Sequence, residues 1–113
     1  MKLDDLTIGE ARQLASMFST QVIPTDVAGP WEIGKNYLIR TVTMIDTGKL
    51  IAVSEQEIVL ESASWVADTG RFADALVRCE FNEVEPFPAG KVIIGRGSVI
   101  DAVQIVMLPT KQK

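Results

Sequence analysis

Two apolar stretches between Lys91 and Met107 flank the polar break Gly95-Arg96-Gly97-Ser98. Val92-Ile93-Ile94 is a continuous apolar run short enough for a buried strand. Val99, Val103, Ile105 and Met107 recur on one face of a second strand. Glycines on both sides of Arg96 admit a bulge or tight turn and fix where its guanidinium points. Upstream, Asn36 to Val53 is rich in β-branched and apolar residues. Leu38, Val42 and Met44 share a face there, Arg40 and Asp46 punctuate it, and Asp46-Thr47-Gly48 offers a turn. Ser54-Glu55-Gln56-Glu57 is a polar break, and Ile58 to Val66 predicts a further strand. Strands at this spacing pair consecutively and antiparallel, with no βαβ unit, so the chain is mainly β.

Two segments change period. Thr7 and Glu10 form a capping box, and Ile8, Ala11, Leu14, Ala15 and Phe18 line one face, which predicts an amphipathic helix over 7–19 ahead of Pro24. Such a helix is expected to cover an open end of a sheet or barrel, with docking on a neighbouring subunit as the alternative. Residues 21–35 contain Pro24, Gly29, Pro30 and Gly34 and read as a connector anchored by Trp31. The spacing of Phe72, Ala75 and Leu76 predicts a short helical insertion near 70–78, with Asp68 or Thr69 as its cap. Glu80, Glu83 and Glu85 precede Pro86 and Pro88 in what reads as a solvated loop, and residues 109–113 read as a frayed tail.

Composition removes several function classes. The 113 residues suffice for one domain, 1–113, and 47% apolar content argues for a folded core. Fifteen acidic residues against eleven basic leave no basic cluster to displace counterions from duplex DNA. There is no histidine and a single cysteine, Cys79, which removes Ser-His-Asp and Cys-His nucleophiles, zinc sites built from Cys and His, and an internal disulfide. No catalytic residue, metal site or cofactor is expected. No secretory leader or spanning segment is read in the chain, so the expected location is cytoplasmic, or host cytoplasm for a viral protein.

Trp65, Asp68, Arg71 and Phe72 lie within eight positions. An indole, a phenyl ring and a guanidinium suit a base-stacking or nucleotide-binding surface. The same residues suit a structural role better, with Trp65 and Phe72 as core anchors and Asp68 paired to Arg71 across a turn, because aromatics are scarce here and small cores use them for burial.

Gly48-Lys49-Leu50, Ile58-Val59-Leu60-Glu61 and Ile94-Gly95-Arg96-Gly97-Ser98-Val99-Ile100, following an N-terminal helix, resemble the two motifs of the Sm-like fold. Gly48, Leu50 and Ile58 to Glu61 match the first motif, and Arg96, Gly97 and Ile100 the second, with Gly95 where an apolar residue is usual. The overall pattern is similar to Sm-like proteins attributed to bacteriophages. The resemblance implies a small, strongly bent five-stranded antiparallel barrel. It also implies a non-enzymatic homo-oligomeric ring made by pairing Lys91 to Arg96 of one copy with Ser98 to Met107 of the next, through Val92, Ile94, Val99, Val103 and Ile105. In RNA-binding members a pocket at the pore contacts single-stranded RNA, which here implies Arg96, Gly97 and Ser98. Ser54 and Glu57 stand where that family has aspartate and asparagine, and a carboxylate there disfavours phosphate. A third expectation is capture of a nucleotide or other small ligand at a subunit interface by Trp65, Arg71 and Arg96.

Overall fold

The computed structural model describes residues 27–113, and its strands all belong to the compact unit Trp31–Lys113. The helix expected over 7–19 lies outside the described residues. Six strands form one antiparallel sheet: β1 (Asn36–Thr41), β2 (Ile45–Val53), β3 (Glu57–Asp68), β4 (Glu83–Pro86), β5 (Val92–Gly95) and β6 (Val99–Gln104). Helix α1 (Phe72–Arg78) links β3 to β4, and a 3-10 turn, Arg96–Ser98, links β5 to β6. No helix among the described residues is long and apolar enough to cross a membrane.

The strand order is β4-β3-β2-β1-β6, with β5 also on β3. β6 pairs with β1, while β4 and β5 pair with β3, so no ladder returns from β6 to the far side. The expected five-stranded closed barrel is therefore corrected to a six-stranded open sheet. The extra strand has a local cause. β3 spans 12 residues, and Ser62 interrupts it at φ 50°. Its C-terminal half takes β4 and its N-terminal half takes β5. Pro86 ends β4 and Pro88 follows it, and neither has the N–H a continuous ladder needs.

Alternation along the strands builds apolar clusters on both faces. Tyr37, Ile39, Leu50, Ile58, Leu60, Ala63 and Ile94 form one, with Trp31 and Phe87 packed against it. Leu38, Val66, Ala75, Phe81, Val84 and Ile105 form the other, beneath α1. A sheet covered on both faces reads as runs of apolar residues, as Tyr37-Leu38-Ile39 does.

Three local expectations change. Asp46-Thr47-Gly48 is not a turn but the interior of β2, opposite Ile39, Leu38 and Tyr37. The reversal lies at Thr41–Met44, where Thr41 N–H donates to Met44 O (2.8 Å) and Met44 N–H donates to Thr41 Oγ1 (3.0 Å). A threonine hydroxyl satisfying a turn N–H needs no glycine. Gly48 serves close packing instead, since a Cβ there would lie 2.7 Å from Leu60 Cβ. Helix α1 has no side-chain cap: Asp68 Oδ1 accepts from Gly70 N–H (2.8 Å), and the Thr69 hydroxyl donates to Gly70 O (2.9 Å). The tail is not frayed. Lys113 exchanges two backbone hydrogen bonds with Val84 (2.9 and 2.8 Å), and buried Ser64 donates its hydroxyl to Pro109 O (3.2 Å).

Candidate functional site

Two surface regions collect the residues singled out in the sequence. The first is the turn between β5 and β6. Arg96 donates its backbone N–H to Gln56 O (2.8 Å) and an Nη1 proton to Ser54 O (2.8 Å). These bonds tie the arginine turn to the polar break before β3, so Arg96, Gly97 and Ser98 lie beside Ser54 to Glu57. Ser98 turns its hydroxyl back to Gly95 O (2.7 Å). Gly95 and Gly97 have open space where a Cβ would stand, and neither has a positive φ. Within one chain nothing about the backbone requires glycine at either position.

The second region surrounds Trp65 on β3. Trp65 is 37% exposed and Phe72 39%, so neither is fully buried. Asp68 does not pair with Arg71; its carboxylate accepts from Gly70 N–H and from the Asn82 amide (3.4 Å). Phe72 lies under the Arg40 guanidinium, 5.3 Å from carbon to ring centroid, at cation–π range. Arg40 also donates two hydrogen bonds to Asp101, one from Nε at 2.7 Å. This bidentate pair holds the Asp101 carboxyl below its usual range, chiefly through the hydrogen bond from Arg40. Trp65 lies in the C-terminal half of β3 and Arg96 beside Ser54 and Gln56, ahead of its N-terminal end, so a single chain does not bring Trp65, Arg71 and Arg96 into one nucleotide site.

Trp65 and Met44 together wall two adjoining cavities. One, of about 440 Å³, lies over the Thr41–Met44 turn and reaches Arg40, Ala67 and Ile100. The other, of about 330 Å³, is bounded by Met44, Trp65, Glu85, Pro86, Phe87 and Pro88. The register sets a cross-strand row of Ile39, Asp46, Trp65 and Glu85 on one face. Asp46 is 6% exposed, and its Oδ1 has no hydrogen-bond partner. Burial pushes its carboxyl above the usual range. Burial likewise raises the Cys79 thiol above its usual range. Among the described residues, no group of three or more His, Cys, Asp or Glu is arranged to hold a metal ion.

The expected interface residues divide. Ile94 and Ile105 are each 7% exposed and belong to the clusters, while Val92 and Val99 pack against the first of them. The register shift between Arg40 and Thr41 sets Val99 opposite Thr41 and Asp101 opposite Arg40. That bulge breaks the single face expected for Val99, Val103 and Ile105. The side chains turned outward are Ile93 (62% exposed), Ile100 (65%) and Val103 (39%).

Met44, Glu85 and Phe87 were missed as a group because they come from a turn, a strand and a loop that the sequence does not connect. No family model matches this chain, and no curated protein or solved structure matches it.

Proposed function

We propose that this chain is a non-enzymatic, Sm-like protein that assembles into a homo-oligomeric ring. The outer edge of β5 in one copy pairs antiparallel with the outer edge of β6 in the next. The observation that carries this reading is the state of the sheet's edges. Among the described residues, β5 pairs only with β3 and β6 only with β1, whereas the outer side of β4 is covered by Lys113. Two edges without cover among the described residues, carrying Ile93, Ile100 and Val103, are an open template for pairing. Because the two edges differ, their pairing is head to tail, and a head-to-tail contact closes into a ring when its rotation permits.

Sedimentation velocity tests this with Ile93→Lys and Ile100→Glu. Both side chains are largely exposed in the monomer, so neither variant should unfold the chain. Each should shift the assembly toward monomer. Variants that sediment like the parent protein would contradict edge pairing.

A second reading, single-stranded RNA binding, is favoured by Arg96 lying against Ser54 to Gln56, next to the turn that the Sm-like resemblance assigns to base contact. Glu55 and Glu57 in that turn oppose phosphate. Fluorescence anisotropy of a labelled oligouridylate decides it. RNA binding requires an affinity that falls with salt and is lost in Arg96→Ala, and no signal at low salt removes it.

A further inference from the structure

We infer that the cavity between Trp65 and Phe87 is a binding site for an alkylated ammonium group, of the trimethylammonium type. Its six bounding residues are two aromatics, Trp65 and Phe87, a polarizable thioether, Met44, two prolines, Pro86 and Pro88, and one carboxylate, Glu85.

The chemistry of this lining selects among ligands. An anion needs donors, and there are almost none: prolines have no N–H, and the Phe87 N–H already donates to Ala63 O (2.9 Å). A neutral ligand could donate to Glu85 but would bring no charge to the aromatic faces. A bulky, weakly hydrated cation finds aromatic and apolar surface for its methyl groups and a negative charge for its centre, which is the combination that recognises quaternary ammonium. Glu85 makes no ion pair among the described residues, so its charge is available. It lies directly opposite Trp65 across the β3–β4 ladder. On the other side of the indole, Asp46 lies opposite Trp65 across β2–β3, buried and with an unpartnered Oδ1. Trp65 therefore stands in a row between two acidic positions. The cavity volume of about 330 Å³ lies within the range of small-ligand sites, near its lower end.

This inference is independent of ring assembly, since all its residues come from one chain. The test is a titration followed by proton–nitrogen and methyl NMR, with choline as the probe and 3,3-dimethyl-1-butanol, its neutral isostere, as the control. The Trp65 indole N–H and the Met44 methyl should shift with choline, saturating in the millimolar range, while Trp31 stays fixed. The isostere should bind roughly tenfold more weakly, because it lacks the charge the aromatic faces attract. Glu85→Gln, a change at an exposed position, should weaken choline roughly threefold while leaving the rest of the spectrum in place. Three results would overturn the assignment. They are no Trp65 shift at about 50 mM choline, which is weaker than any useful affinity, equal binding of choline and its isostere, and an unchanged affinity in Glu85→Gln.

Discussion

At the scale of single residues, Gly48 and Asp46 lie two positions apart on β2, opposite Tyr37 and Ile39 of the first apolar cluster. A Cβ at Gly48 would overlap the Cβ of Leu60, which is too near the backbone to swing away. Gly48→Ala should therefore lower the unfolding free energy by about 1–3 kcal/mol, the usual range for overpacking, as measured by urea denaturation. An unchanged midpoint would mean that β2 and β3 separate easily. Asp46 acts in the opposite sense. Its carboxyl is raised by burial, so the folded chain holds the proton to a higher pH than the unfolded chain does. Between the two values the native state binds more protons, and stability falls as pH rises through that window. Asp46→Asn should therefore stabilise the protein at pH 7, with the gain shrinking below the ordinary aspartate range, where both states of the parent are protonated. An equal gain at pH 3 and pH 7 would contradict the linkage. Neither role could be read from sequence: Gly48 looked like a turn glycine and Asp46 like punctuation, because both are the usual residues of turns.

At the scale of elements, β content and antiparallel pairing were legible, because β-branched alternation broken by polar turns has few other solutions. The short helix over 72–78 was legible for the same reason, from the spacing of Phe72, Ala75 and Leu76. Strand β4 was not: Glu83–Pro86 reads as part of a solvated loop, and the structure makes it a strand on β3. It pairs with the half of β3 beyond Ser62, whose left-handed conformation nothing in the sequence announces. Ser62 is exposed, and a left-handed conformation costs a non-glycine residue about 1 kcal/mol or more. Ser62→Gly should raise stability by a part of that, the remainder being offset by the freer unfolded chain; a loss would show that the serine side chain contributes something the backbone does not. The ordered tail was also hidden, because Pro-Thr-Lys-Gln-Lys has the composition of a loose end. Its anchors are backbone groups of Val84 and the hydroxyl of Ser64. Removing residues 109–113 should cost roughly 2–4 kcal/mol, about 1 kcal/mol for each hydrogen bond lost and more for a buried hydroxyl left alone. It should also expose the outer side of β4 and promote aggregation, visible as light scattering at concentrations where the full chain stays clear.

At the scale of the whole molecule, what distinguishes this sheet is which of its edges are finished. The tail covers β4, and helix α1 with the turn at Cys79 covers one face, yet β5 and β6 carry outward isoleucine and valine with no cover among the described residues. The pattern Val-Ile-Ile-Gly-Arg-Gly-Ser-Val-Ile made these two strands conspicuous in the sequence. It did not reveal that their inward residues stabilise the single chain, leaving Ile93, Ile100 and Val103 for a neighbour. The open space beside Gly95 and Gly97 lies at the same junction. The candidate cation site was illegible at this scale too, since it joins Met44 to Glu85 and Phe87 across two ladders. The measurement that bears most directly on assembly is the mass of the purified chain by native mass spectrometry. Edge pairing predicts a single closed species at a whole-number multiple of 12.4 kDa, persisting on dilution because every edge is used. A dominant monomer at micromolar concentration would contradict it and leave β5 and β6 as exposed edges of a solitary sheet.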